Sequence, residues 1–328
     1  MRLKVNILTF FIINCTLSII LSACSTIPRD TAQRDTGDFS LLPEGGKLYL
    51  WADVKEAGVL LESISFDGMP LNQAGAILDR TDTAAAVFFG RLTEQGREEE
   101  APGSTDQDSE APSPGNSFFI NLRGKYPSFG AGVSFTFSRE WKRTRSETGN
   151  SFWLLENTGL GLALNSNLAL VSSGDPFLRL PVNSRIPAVR VPDGFDEFRK
   201  GGVVSGWIPD NEPVNRFLSD LGIPIQIPAE DFLFNAVKQD DDIWELDFLI
   251  RTPSVSQARA LVTLFSMARS FIMSFVPGNE TGSASVLDFI PALFANLPER
   301  NEAELRLKSG SFTTSELALL FNIISVYS

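Results

Sequence analysis

Residues 45–64 read GGKLYLWADVKEAGVLLESI, and residues 201–222 read GGVVSGWIPDNEPVNRFLSDLG. Each stretch opens on paired glycines and continues into a short run rich in β-favouring residues. The first run holds Leu48, Tyr49, Leu50 and Trp51, and the second ends at Trp207. An amphipathic helix follows in both. Ala57, Leu60, Leu61 and Ile64 lie at i, i+3, i+4 and i+7, and so do Val214, Phe217, Leu218 and Leu221. Asp53 with Glu56 three residues later forms a capping box for the first helix. Asp210 or Asn211 caps the second, with Pro213 in its first turn, where a missing N–H costs little, and Gly222 at its end. Trp51 and Trp207 each lie five residues past the second glycine, an offset of 156, and the helix faces follow at an offset of 157, with one inserted residue at the turn.

The parallel extends to the next elements. TDTAAAVFFG (81–90) and SFFINLRG (117–124) read as strands, as do DFLFNAVKQ (231–239) and IWELDFLIRT (243–252). The second pair is joined by a tight Asp240-Asp241-Asp242 turn. The first is separated by EQGREEEAPGSTDQDSEAPSPGN, which holds Glu98, Glu99, Glu100, Asp106, Asp108 and Glu110 and nothing apolar larger than Ala. Such an insert cannot bury enough surface to offset its ordering entropy and reads as a disordered loop. Its acids lack the spacing of an EF-hand, so a solvated charge run is expected at this insert and at 240–242, with no metal. The fold class expected is α+β, with duplicated β-α-β-β-α units and mainly antiparallel sheets packed against helices. The expected organisation is a signal peptide at 1–23, a flexible tether at 24–44, a first repeat at 45–192 carrying the insert 93–117, and a second repeat at 193–328.

Other segments refine this outline. FWLLEN, LGLALN and LALVSS, separated by Asn and Gly, read as a strand meander between Trp141 and Ser173. YPSFGAGVSFTF fits helix and strand spacing equally well. The Pro-rich stretch Pro181 to Gly202 is the boundary between the halves. Pro253 to Val276 predicts the longest helix. Arg259, Thr263, Ser266, Ser270 and Ser274 form a narrow polar stripe on it, and so wide an apolar remainder predicts a buried core helix. The alternative is one wall of a groove for an acyl chain or another apolar ligand. Ser285 to Leu297 reads as an apolar helix interrupted by Pro291, and Ala303 to Lys308 as a strand. Thr313 and Glu316 form a capping box before a last helix whose Leu317, Leu320, Phe321 and Ile324 face inward.

Composition excludes several chemistries. The 328 residues contain no His and two Cys, both within the first 24 residues. Serine and cysteine triads and histidine-ligated zinc are therefore excluded, as are thiolate sites and disulfides within the body. Phosphate-loop, dinucleotide, nucleophile-elbow and Ser-x-x-Lys motifs are missing in any fitting context, and no cofactor is implied. The formal charge is −12, which disfavours nucleic acid as a partner.

The chain opens MRLKVNILTFFIINCTLSIILSAC. Arg2 and Lys4 precede an apolar run shorter than the roughly 20 residues a spanning helix needs, and small residues follow it. Leu21-Ser22-Ala23-Cys24 resembles the lipobox of bacterial lipoproteins, over about the first 24 residues. That resemblance implies cleavage before Cys24, lipid such as palmitate attached there, and residence in the cell envelope on a membrane. Removing Arg2 and Lys4 leaves the mature charge two units lower, at −14. Two or more acyl chains hold a protein on a membrane where one lets it go. Three functions stay open at this point. The first is a non-catalytic envelope protein that binds a protein partner or plays a structural role. The second is a carrier of lipid or another hydrophobic ligand. The third is a carboxylate-dependent hydrolase, for which no catalytic pair can be nominated.

Overall fold

The structure, a computed structural model, describes residues 38–63, 77–91, 116–127, 135, 139–181, 187–220, 226–275 and 291–327. Its strands are β1 (Leu48–Asp53), β2 (Thr81–Arg91), β3 (Asn116–Gly124), β4 (Trp141–Arg145), β5 (Ser151–Leu155), β6 (Leu160–Leu164), β7 (Leu168–Ser173), β8 (Val204–Ile208), β9 (Asp231–Asp240), β10 (Ile243–Arg251), β11 (Glu299–Asn301) and β12 (Glu304–Thr313). They hydrogen-bond in the order β11-β12-β10-β9-β8-β1-β2-β3-β7-β6-β5-β4. The described pairings are antiparallel. The helices are α1 (Val54–Ser63), α2 (Pro176–Arg179), α3 (Phe195–Phe198), α4 (Glu212–Asp220), α5 (Val255–Phe275) and α6 (Thr314–Tyr327).

This architecture overturns the expected α+β chain of two β-α-β-β-α copies. The molecule is mostly antiparallel sheet with few helices. After β10 the chain turns into α5, whereas β3 pairs with β7, and β4 to β7 simply extend the ladder. Short loops between apolar runs favour antiparallel neighbours, so the meander continues the sheet. The matching Gly-Gly pairs answer to local backbone geometry. The first glycine of each has positive φ (Gly45 +91°, Gly201 +81°), which only glycine adopts freely. A Cβ on the second would lie 2.1 Å from Val87 at Gly46 and 1.5 Å from Asn235 at Gly202.

The chain forms two compact units, each discontinuous in sequence: 1–43, 68–82 and 119–188 in one, and 44–67, 83–118 and 189–328 in the other. In the first unit β6 and β7 are buried on both faces. Phe135, Trp141 and Trp153 form an aromatic cluster there, with centroids 5.1 and 5.6 Å apart about Phe135. Asn165 Oδ1 accepts from the N–H groups of Asn167 and Leu168 and closes the β6–β7 turn. The end of the expected tether docks into this unit, where Phe39, Leu41 and Leu42 are buried.

In the second unit, alternation along the strands separates two faces. On one, Leu48, Ala52, Val204, Phe234, Ala236, Trp244, Leu246 and Phe312 pack against Ala57 and Leu60 of α1 and against Leu317, Ala318, Leu320 and Phe321 of α6. On the other, Tyr49 and Trp207 are direct cross-strand partners, stacked with centroids 4.6 Å apart and planes at 8°. The helix starts are capped as the sequence predicts. Asp53 accepts from Lys55 and Glu56 N–H, and Asp210 accepts from Glu212 N–H. Thr313 and Glu316 exchange reciprocal bonds of 2.7 and 3.2 Å ahead of α6.

Candidate functional site

Helix α5 departs furthest from its sequence expectation. Ser254 caps it by accepting the Gln257 N–H at 3.3 Å. Its apolar width predicts burial, yet between Val255 and Ser270 the side chains that reach full burial are Ala258 and Leu261. These meet Phe232, Ile250 and Leu305 at one end of strands β9, β10 and β12. Val262, Leu264 and Phe265 are only half-covered, and Val255 and Met267 are 42% and 66% exposed.

Three hydroxyls of α5 bond to its own backbone, and Arg269 bonds to the 292–295 segment. Thr263, Ser266 and Ser270 each donate to the carbonyl four residues earlier, at 3.2, 2.8 and 2.9 Å. Arg269 donates from Nε to Phe294 O and from Nη2 to Ala295 O, at 3.1 and 3.2 Å, beside the Phe265–Phe294 ring contact. The helix carries two Arg and no acidic residue, in a chain of net charge −12. Its exposed side is thus mixed, with Val255, Ala260 and Met267 beside Ser256, Arg259, Thr263 and Ser270, and it carries a local positive sign.

Three acids of the second unit, Asp231, Asp247 and Glu304, are paired with arginines. Arg251 on β10 is the direct cross-strand partner of both Asp231 on β9 and Glu304 on β12, and its guanidinium lies 3.3 Å from each carboxylate. Burial pushes the Asp231 carboxyl up, opposed by Arg251 and reinforced by the neighbouring charges of Glu230 and Glu304. Arg306 Nε contacts both oxygens of Asp247 at 3.0 Å. A carboxylate pair that cleaves bonds needs open space between its acids, and here a guanidinium fills that space. In the first unit Tyr126, bonded to Thr81 at 2.9 Å, is pushed up to about 12 by burial and stays a phenol.

Cys24 and the insert acids Glu98, Glu99, Glu100, Asp106, Asp108 and Glu110 lie outside the described residues, as do the side chains of Phe217 and Leu218 and the start of the 285–297 segment. The Asp240-Asp241-Asp242 turn is described. Asp240 accepts from Asp241 N–H, and Asp242 accepts the Thr314 N–H at 3.1 Å; the Thr314 side chain first and its N–H second hold the Asp242 carboxyl below the usual range. Asp242 therefore helps to cap α6, a role that local sequence could not show because its partner lies 72 residues away. Among the described residues no group of three metal-ligating side chains converges. No described helix is long and apolar enough to cross a membrane.

A long antiparallel sheet, with helices α1 and α6 packed on one face of the second unit, defines the class of fold. That fold is shared with TP0453. Its crystal form IV matches with a TM-score of 0.56 and 14% identity over 89% of this chain and 98% of that one. Crystal form I gives 0.56 and 14% over 90% and 100%. No family model matches the chain, and no curated protein matches it in sequence.

Proposed function

We propose that the protein is a lipid-anchored protein of the bacterial cell envelope, held by acyl chains on Cys24, whose body binds and performs no catalysis. The incompletely covered apolar helix α5 carries the binding half of this reading. The partner assigned to it is the acyl and headgroup layer of the membrane that bears the anchor. The three backbone-bonded hydroxyls and the engaged Arg269 lower the cost of moving α5 into an apolar medium. The lack of acids on the helix removes local repulsion from anionic headgroups. Phe39, the first buried residue among those described, lies 15 residues after Cys24, and a chain of that length reaches at most about 50 Å, which limits how far the body can stand from the anchor.

Detergent-phase partitioning and vesicle flotation of protein made in a bacterial host test both halves. The wild type should enter the detergent phase, and Cys24→Ser should leave it while still floating weakly with phospholipid vesicles. Adding Met267→Glu to Cys24→Ser should abolish that residual flotation. A Cys24→Ser protein that stays in the detergent phase refutes the anchor. Residual flotation indifferent to Met267→Glu refutes the role of α5.

A further inference from the structure

The segment 193–202 crosses the sheet face opposite α1 and α6, and side chains tie it there. Arg251 donates from Nη2 to the Asp193 carbonyl. Phe195 is fully buried and meets Trp207 edge-on, with centroids 4.9 Å apart. Asn235, oriented by Ser205 Oγ at 2.7 Å, donates to the Phe198 carbonyl at 3.1 Å. The Arg199 guanidinium lies 4.7 Å over the Trp51 ring. Within the segment the amides of Phe198, Arg199 and Gly202 bond to Gly194 O, Phe195 O and Arg199 O, at 2.9, 2.9 and 3.0 Å, and the Phe195 amide reaches back to Pro192 O at 3.1 Å. Left-handed glycines stand near its two ends, Gly194 at φ +76° and Gly201 at φ +81°. Rotation at the two glycines would lift the residues between them, opening the Phe195-to-Pro192 and Gly202-to-Arg199 bonds while keeping the Phe198 and Arg199 amide bonds and every rung of the β8–β9 ladder.

We propose that residues 193–202 are an opening cover, latched by Arg251, over a shelf made by Tyr49 and Trp207, and that the shelf accepts a planar apolar ring in the place Phe195 fills. The closed form is self-occupied. A ligand binds only the open population, so its apparent affinity is lowered by the fraction closed. Arg251 suits a latch because Asp231 and Glu304 balance its charge from directly opposite positions while its remaining edge reaches a main-chain carbonyl of the cover. This inference uses no part of α5 or of the anchor.

Hydrogen exchange of the full chain, read by mass spectrometry, tests the latch, and N-phenyl-1-naphthylamine fluorescence tests the shelf. Arg251→Met should speed exchange at the Phe195 and Gly202 amides, whose bonds span the glycine hinges, roughly tenfold, the change expected from losing one charge-assisted hydrogen bond, and leave β8 and β9 protected. Arg251→Lys keeps the charge but lacks the fork, and should fall between. It also carries the test should the Met variant not fold. Probe binding should rise in step with opening and be lost on adding Trp207→Phe. Equal acceleration across β8 and β9, or an Arg251→Lys protein that behaves like the wild type, overturns the latch. Opening without Trp207-dependent probe binding overturns the shelf.

Discussion

Helices α5 and α6 belong to the same unit and are both apolar, yet they are covered very differently. Leu317, Ala318, Leu320 and Phe321 of α6 are buried in a cluster that also contains α1 and five strands, whereas α5 buries Ala258 and Leu261 and leaves Met267 outside. The connections explain much of this. Helix α6 starts on the residue after β12, and Thr314 is gripped by Asp242 through its N–H and by Trp244 Nε1 through its hydroxyl at 2.9 Å. It is thereby aimed at the middle of the sheet, next to α1. Helix α5 leaves β10 at the end of the sheet rows and meets only their last apolar residues. Apolar content states what a helix must avoid, and neighbouring elements decide whether anything hides it.

Substitutions can break or sharpen that contrast. Leu317→Ala in α6 and Leu60→Ala in α1, both at fully buried positions, should each cost about 2–5 kcal/mol in denaturant unfolding. A cost below about 1 kcal/mol at either would mean that the α1–α6 cluster is not the core. Thr313→Ala removes one half of the capping box and should cost about 1 kcal/mol, with Asp242 retaining part of the cap.

The Asp231 effect is smaller and depends on pH. Its folded pKa is raised, chiefly by burial, so the stability it contributes is full below the unfolded value of 3.8 and is lost as pH rises through the folded value. Asp231→Asn removes that loss. Relative to the wild type its thermal midpoint should therefore be higher near pH 7 than near pH 3, and an equal offset at both would contradict the buried carboxylate. Smallest of all, Met267→Ala should change stability by less than about 0.5 kcal/mol while weakening vesicle flotation of the Cys24→Ser protein. A core-sized loss there would show α5 to be as integral as α6.

Much of the local structure was legible because it rests on short-range chemistry. The strands at 48–53, 81–91, 231–240 and 243–251 emerge from β-favouring runs and turn residues, and the caps at Asp53 and Thr313 from their neighbours three residues on. The repeat was misread because Gly-Gly followed by a strand and a helix is a local solution to entering a crowded strand. It does not specify what the strand pairs with. The partners of β3, the Arg251 cluster and the Asp242 cap all join residues far apart in the chain, and no local period encodes them.

By itself the sequence determined the element types, the helix caps, the exclusion of histidine and thiol chemistry, and the expectation of a lipid on Cys24. Each depends on residue identity or on spacing within one or two turns. The tertiary structure alone decided that one antiparallel ladder replaces two repeats, that α6 is core and α5 is surface, and that Arg251 ties three strands to the 193–202 segment. Those outcomes depend on which surfaces meet, and burial is a property of the pair in contact, never of one helix read alone.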